Sequence, residues 1–169
     1  MLVLGIDPGL AITGYGLVRE DGRGLVCVAH GVIRTPAHTP RPSRLVQLYD
    51  RLREIIDEHT PDVASVEELF FSNNARTAML VGEARGVLLL TCAQAGLPIA
   101  EYTPMQIKQA ISGYGKAEKA QVQEMVRLLL GLEQIPRPDD AADALAVAIC
   151  CHHSARLETL IARASGWDR

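Results

Sequence analysis

The chain has 169 residues, of which 48% are hydrophobic and 22% charged, and its formal net charge is −3. This is the composition of one globular domain with a core of its own, and no apolar run reaches the roughly 18 residues of a membrane span. The negative charge argues against a broadly basic nucleic-acid-binding surface, unless the acids form one cluster that a divalent cation neutralises. Without a recognisable leader, we expect a cytoplasmic protein with reduced thiols at Cys27, Cys92, Cys150 and Cys151.

Three strands are predicted at the start of the chain. Leu2–Asp7 is an apolar strand that ends on a carboxylate, and Thr13–Glu20 and Gly24–Thr35 follow as a hairpin around the turn "DGRG". The proline-rich loop Pro36–Pro42 leads to a helix with an apolar stripe at helical spacing, and Ser43 is its expected N-cap.

Strands and helices alternate after this helix. Asp62–Glu67 is a short strand that also ends on a carboxylate, and a long helix spans about Asn74–Ala95. Pro98–Thr103 is the last predicted strand. Thr103 is the expected N-cap of a helix with Pro104 in its first position, where the missing N–H of proline costs nothing.

Two further helices complete the predicted elements. One stops near Gly131, and the last runs from about Asp139 to His153, before a polar tail over residues 155–169 that is expected to fray. This order predicts a single α/β domain over residues 1–154, with one mixed five-stranded sheet and helices on both faces. Ribonuclease-H-like folds have this order of elements.

Carboxylates lie where the predicted strands end and where the last helix begins. If the two short strands are parallel neighbours, Asp7 and Glu67 converge at one edge of the sheet, and Asp140 and Asp143 can meet them from one helix face. Crowded carboxylates protonate unless cations hold them, and Mg²⁺ prefers such oxygen ligands. Each acid alone has an ordinary alternative as a turn former or helix cap, so the hypothesis depends on their combination.

Five segments carry a more specific signal: "GIDPG…TGYG", "VEELF", "NNARTAM…GEARG", "KQAISGYGKAEKAQVQEMV" and "DDAADALAVAI". In this order and spacing they resemble the RuvC crossover junction endodeoxyribonucleases, from about Leu2 to His153. The resemblance implies a homodimeric, metal-dependent nuclease that resolves Holliday junctions by symmetric nicks in two strands of like polarity. It further implies ligatable 5′-phosphate and 3′-hydroxyl ends, two Mg²⁺ ions in each subunit (Mn²⁺ can substitute), and RuvA–RuvB as a partner.

The resemblance also assigns the acids. Asp7, Glu67, Asp140 and Asp143 are implied as catalytic metal ligands, with Asp7 between the two ions and Asp143 as a candidate base. Asp139 lies four residues before Asp143 and stays an alternative to Asp140. Glu68, next to Glu67, is expected on the opposite, solvated face of its strand.

Residues around the acids are implied to bind DNA. Lys119 is also implied in catalysis, close to the scissile phosphate, where its charge offsets developing negative charge. The expected contacts are Phe70, Arg76, Lys108, Lys116 and Lys119, with Arg85 as a further candidate. Stacking on an unpaired base is the role implied for Phe70. The ordinary alternatives are a solvated helix face for the basic residues and a core or interface position for Phe70.

The long helix is apolar nearly all round, which a small domain cannot bury by itself. The resemblance places a two-fold dimer contact here, with Met79, Gly82 and Gly86 as its candidate residues.

Two other functions stay open from the sequence. One is a module that binds branched DNA without cutting it, which would not need the acids. The other is an ATPase of the sugar-kinase and chaperone type, suggested by "DPGLAITGYG", but such enzymes need two domains of this kind. A zinc site at "CCHH", Cys150–His153, is disfavoured because consecutive helical residues point about 100° apart.

Overall fold

The structure is a computed structural model that describes the backbone of residues 1–68 and 75–165 and the side chains of residues 1–68 and 77–155. Its strands are β1 (Leu2–Asp7), β2 (Ile12–Glu20), β3 (Leu25–Arg34), β4 (Val63–Glu67) and β5 (Ile99–Tyr102). Its helices are α1 (Arg41–His59), α2 (Ala75–Gln94), α3 (Pro104–Ser112), α4 (Lys119–Leu129) and α5 (Asp139–Ser165).

The strands form one mixed sheet in the order β3-β2-β1-β4-β5. β1 is antiparallel to β2 and parallel to β4, and β4 is parallel to β5. The predicted α/β ribonuclease-H-like architecture, a mixed five-stranded sheet with helices on both faces, is therefore confirmed.

The two faces of the sheet carry separate cores because side chains alternate along a strand. Leu4 and Ile6 of β1 pack with residues of α1 and α2. Val3 of β1 and Val18 of β2 pack on the other face, with α3, α4 and α5. Helix α5 lies across β1, β2 and β3, also contacts β4, and includes the fully buried Leu145.

Helix α5 approaches the sheet closely because glycines lie beneath it. A Cβ on Gly5 would lie 2.7 Å from the backbone nitrogen of Ala148, and one on Gly16 would lie 2.7 Å from a methyl of Leu145. A Cβ on Gly14 would overlap the backbone oxygen of Asp140. Any larger residue would push the helix away from the strands.

The first residues of two helices, α3 and α1, can be compared with the sequence-based expectations. Thr103 is the N-cap of α3, as predicted, in a capping box with Gln106. Ser43 was wrong as the N-cap of α1, because Pro42 is tolerated in the first turn and the helix already begins at Arg41.

The last helix is longer than predicted. Instead of ending near His153, α5 continues to Ser165, so the backbone of most of the expected frayed tail is helical. The segment "ARLETLIARAS" consists largely of good helix formers, which outweigh its polarity. Residues 166–169 lie outside the described part of the chain.

Candidate active site

Asp7 and Glu67 lie side by side because β1 and β4 are parallel neighbours, with Ile6 opposite Val66. Asp7 shares the face of Gly5, two residues earlier, and Glu67 shares the face of Ser65. That face is the one α5 covers, since the Ser65 hydroxyl donates a hydrogen bond to the Val147 carbonyl at 3.2 Å. Both carboxylates therefore point toward α5 at the carboxyl edge of the sheet.

The loop after Asp7 is held by Thr13. Its buried hydroxyl donates to the Gly9 carbonyl at 2.6 Å and accepts from the Gly9 N–H at 3.3 Å. A Cβ at Gly9 would overlap the Ile12 carbonyl oxygen, so only glycine fits this tight turn. The "DPG" sequence thus ends β1 sharply and leaves Asp7 at the mouth of the site.

Helix α5 brings the second pair of acids. Asp139 and Asp140 lie in its first turn, and Asp143 follows one turn later. A cleft of about 220 Å³ is lined by Asp7, Glu67, Pro104, Ile107, Lys108, Lys119, Val122, Asp143 and Ala146. Asp140 does not line this cleft, but it is close enough for its charge to raise the pKa of Asp7.

The fold raises the pKa of both inner acids, Asp7 and Glu67. Burial, together with the nearby charges of Glu67 and Asp143, raises the pKa of Asp7 to about 8. Glu67 also has a raised pKa, mainly from burial, although a hydrogen bond with Asp7 opposes this. Because their hydrogen bond raises the pKa of Asp7 and lowers that of Glu67, the Asp7 carboxyl is the donor in it and Glu67 the acceptor.

Lysines balance the remaining negative charge. The Lys119 ammonium donates to Asp143 Oδ2 at 2.8 Å. Burial raises the pKa of Asp143 because its effect is larger than that of this hydrogen bond. Burial would lower the pKa of Lys119, but the neighbouring acids, Asp143 above all, outweigh it and raise that pKa. Lys108 lines the cleft, and its charge favours the ionised form of Glu67. The whole chain has three lysines, the third being Lys116, so all lie within one twelve-residue stretch.

The family resemblance implies a divalent metal here, and the donor chemistry fits it. Asp7, Glu67 and Asp143 present carboxylate oxygens to one cleft, with a negative charge that is offset only by lysine and a retained proton. Among the described residues, no three acidic, histidine or cysteine side chains are arranged as they stand to enclose an ion. A cation would therefore have to displace the proton of Asp7 and the ammonium of Lys119.

Three of the predicted DNA-binding residues have side chains in the described part of the chain. Lys108 and Lys119 line the cleft, and Lys116 is exposed in the segment between α3 and α4. Phe70 and the side chain of Arg76 lie outside the described residues. Glu68 is exposed, as expected.

Arg85, a further candidate for a DNA contact, makes two contacts within the protein. Its Nε donates to the Glu67 carbonyl at 3.2 Å, and its guanidinium forms an ion pair with Glu101. It thus joins the ends of β4 and β5 and supports Glu67 from the opposite face of the sheet. An arginine within the apolar stretch of α2 was the signal in the sequence, since such a residue needs an acidic partner.

The candidate dimer residues lie on α2. Met79 is 67% exposed, and Gly82 is half-buried. Gly86 is exposed, and a Cβ added to it would meet no atom of the described residues within 4 Å. Leu90, one turn after Gly86, is 53% exposed. These residues form an apolar stripe on α2, while Ala84 and Leu88 face the core.

No helix in the described ranges is both long and apolar enough to cross a bilayer.

Comparison with known proteins agrees with the geometry. The family model described as crossover junction endodeoxyribonuclease RuvC matches residues 3–152. A protein of that name from Desulfitobacterium hafniense is 59% identical over 157 residues, covering 93% of this chain and 95% of the relative. Another from Heliobacterium modesticaldum is 59% identical over 154 residues, covering 91% and 95% of the two chains.

A solved structure gives the same result. Thermus thermophilus RuvC, in complex with a Holliday junction substrate, superposes with a TM-score of 0.85 at 36% identity, covering 93% of this chain and 96% of that one. With the acids gathered at the carboxyl edge of the matching fold, the chain belongs to the RuvC family of crossover junction endodeoxyribonucleases.

Proposed function

We propose that this protein resolves four-way DNA junctions as a divalent-metal-dependent endonuclease. It would nick two strands of like polarity symmetrically and leave 5′-phosphate and 3′-hydroxyl ends. The observation that carries this proposal is the meeting of Asp7, Glu67 and Asp143 in one lysine-flanked cleft, in a chain that the RuvC family model matches over residues 3–152.

Asp7, Glu67, Asp140 and Asp143 are the residues that would hold the metal, which we propose to be two Mg²⁺ ions, with Mn²⁺ as a substitute. Such ions supply an activated water and charge stabilisation at the leaving oxygen. Asp140 is preferred over Asp139, since its charge acts on Asp7, while the Asp139 carboxylate is paired with Arg137.

The residues of the chain itself contribute orientation and charge. Lys108 and Lys119 present two positive charges to the cleft, where they would attract the phosphodiester and oppose the negative charge that develops during cleavage. The carboxylate of Asp143, which lies at the cleft wall, is the proposed acceptor for the proton of the attacking water. Lys116, Arg76 and Phe70 are proposed to bind the junction outside the cleft.

A synthetic four-way junction with Mg²⁺ tests the proposal. We expect paired nicks at symmetric positions, which a DNA ligase can seal. Asp7→Asn should bind the junction without cutting it, because it lacks a central metal ligand. The matched control is Asp50→Asn, which neutralises an exposed aspartate on α1 and should cut at the wild-type rate.

Two results would contradict the proposal. A wild-type protein that binds the junction but makes no nicks with Mg²⁺ or Mn²⁺ would be a DNA-binding module. Cleavage by Asp7→Asn at the wild-type rate would remove the acids from the reaction.

We further propose a homodimer formed through α2. Gly86 costs helix stability, and no contact among the described residues requires it, because a Cβ there would meet none of their atoms within 4 Å. A partner helix that approaches Gly86, with Met79 and Gly82 beside it, would explain the glycine. Two sites related by a two-fold axis suit two symmetric nicks.

Sedimentation analysis tests the dimer. Gly86→Leu should give a folded monomer, because the added side chain meets open space within the monomer but would clash with a partner. Gly24→Leu, in an open turn between β2 and β3, is the control and should leave the dimer intact. A dimer of unchanged stability in Gly86→Leu would contradict the proposal.

Two parts of the proposal concern the cell. The RuvA–RuvB branch-migration complex is the partner that the family resemblance implies, and co-purification with it on junction DNA tests this. A cytoplasmic location follows from a chromosomal DNA substrate, and fractionation of cells with an antibody against the protein would check it.

A further inference from the structure

Lys119 lies between two carboxylates at the rim of the cleft. Its Nζ is 2.8 Å from Asp143 Oδ2 and 3.7 Å from Asp139 Oδ2. The other oxygen of Asp139, Oδ1, forms an ion pair with the guanidinium of Arg137. Four charged groups of alternating sign therefore run from the rim to the wall of the cleft: Arg137, Asp139, Lys119 and Asp143.

The two acids of this chain of charges lie at different depths. Asp143 lines the cleft and is 29% exposed, whereas Asp139 is 43% exposed and does not line it. Arg137, at the outer end, is 69% exposed. Asp143 is therefore available to a cation in the cleft, whereas Asp139, paired with Arg137, lies outside it.

Engagement of Asp143 by a cation changes the surroundings of Lys119. The ammonium would then lose its nearer carboxylate and would be repelled by the positive charge of the cation. A lysine side chain has four flexible carbons, so without another partner it gains freedom and leaves the cleft. Asp139 lies close enough to keep it there.

We propose that Asp139 is a positioning residue that keeps the Lys119 ammonium at the cleft once Asp143 binds a cation. Arg137 fixes the Asp139 carboxylate for this role. The inference rests on the proposed nuclease function, in which Lys119 faces the phosphate, and it gives Asp139 a role distinct from that of a metal ligand.

A simple electrostatic role for Asp139 predicts the opposite effect on cleavage. An acid beside a polyanionic substrate repels it, so its removal alone would strengthen junction binding and would not slow the reaction. Loss of positioning would slow cleavage even where binding is unchanged or tighter. The sign of the change in the single-turnover cleavage rate therefore separates the two roles.

The first experiment compares Asp139→Asn with Asp139→Glu under single-turnover conditions on a four-way junction with Mg²⁺. We expect Asp139→Asn to lower the cleavage rate about tenfold with junction affinity unchanged or tighter, and Asp139→Glu to restore most of the rate. These exposed ion pairs add little stability, so both variants should melt with the wild type. Cleavage by Asp139→Asn at or above the wild-type rate would overturn the inference.

A double-mutant cycle tests whether Asp139 acts through Lys119. In a Lys119→Ala background, Asp139→Asn should cause no further loss of rate, because the group that it positions is absent. A further tenfold loss would show that Asp139 acts elsewhere. Calorimetric titration with Mg²⁺ should give Asp139→Asn the wild-type affinity, and a large loss of affinity would instead make Asp139 a ligand.

The third measurement needs no cleavage. The chain has three lysines, so the Nζ–H signals of lysine-labelled protein are few, and that of Lys119 is identified by its absence in Lys119→Ala. In junction-free protein saturated with Mg²⁺, we expect the Lys119 signal to persist in the wild type, because Asp139 holds the ammonium. In Asp139→Asn the signal should be lost through fast exchange of the ammonium protons with water. Its loss in both proteins on adding Mg²⁺ would overturn the inference.

The proposed function and this inference can fail separately. A wild-type protein that does not cut junctions refutes the function, whatever the lysine signals show. A wild-type protein that cuts, together with an equally fast Asp139→Asn, refutes the inference alone.

Discussion

Replacing Asp7 by asparagine should stabilise the metal-free protein and remove much of its pH dependence. The pKa of Asp7 is raised from 3.8 to about 8 in the fold, mainly by burial and by the neighbouring Glu67 and Asp143. A carboxyl whose pKa is raised by folding contributes stability that is complete below its unfolded pKa and is lost as the pH rises toward its folded pKa. The Asp7 contribution is therefore lost between about pH 4 and pH 8.

The magnitude follows from the proton that the folded protein retains. Within this window the unfolded chain has lost the Asp7 proton and the folded protein holds it, so the free energy of unfolding falls by about 1.4 kcal/mol for each pH unit. From pH 6 to pH 8 the loss is roughly 2–3 kcal/mol, which lowers the Tm of a chain this size by about 5–10 °C. Asp7→Asn lacks this loss because its amide does not titrate.

Thermal unfolding in EDTA at pH 6, 7 and 8 measures the effect as the difference between wild type and variant. Asp50→Asn is the control and should follow the wild type at every pH, since Asp50 is exposed. Added Mg²⁺ should raise the Tm of the wild type at pH 8 and leave that of Asp7→Asn nearly unchanged. If the Tm in EDTA fell equally with rising pH in wild type and Asp7→Asn, Asp7 would not be the group that causes the loss of stability.

The remaining predictions concern the scaffold. Gly5→Ala should lower the free energy of unfolding by about 3 kcal/mol in urea, because its Cβ meets the backbone of α5, whereas Gly24→Ala in open space should change it little. Thr103→Ala should cost about 1 kcal/mol through loss of the capping box, and Thr103→Ser should retain most of it. His152 Nε2 forms a hydrogen bond with the Val18 carbonyl at 3.0 Å, and burial lowers the pKa of this histidine. Its contribution to stability is therefore complete above the unfolded pKa near 6.5 and should fall as the pH drops toward the lowered value. Acid titration of the Tm of His152→Gln against wild type checks this, and an equally steep decline in both would contradict it.

The meeting of the first two acids could be predicted because the signal is local. Asp7 and Glu67 each end a short apolar strand, and adjacent parallel strands bring their carboxyl ends to one edge of the sheet. The structure adds the reason that both point the same way. Each lies two residues after a small residue, Gly5 or Ser65, on the face that α5 covers.

The preference for Asp140 over Asp139 came from the spacing that the family resemblance implies, and helix spacing alone left Asp139 open. Both are good first-turn residues, and helix periodicity lets either approach Asp143. The structure adds one contact that the spacing does not contain, the ion pair between the loop residue Arg137 and Asp139. Such pairs form between flexible side chains, so they become visible only in the folded protein.

Helix ends were predicted where one dominant local interaction determines them. Thr103 has a hydroxyl that caps α3 and a glutamine three residues later that completes the box. Ser43 had the right chemistry, but Pro42 is compatible with a helix that starts earlier. The extension of α5 beyond His153 was missed because the tail is polar, although its residues are good helix formers.

A crystal soaked in Mn²⁺, with data recorded at the manganese absorption edge, tests the central claim most directly. We predict anomalous peaks within ligand distance of Asp7, Glu67 and Asp143, with the Lys119 ammonium moved from Asp143 toward Asp139. An intact Lys119–Asp143 ion pair with no peak at Asp7 in a fully soaked crystal would contradict the claim that these acids gather to hold metal.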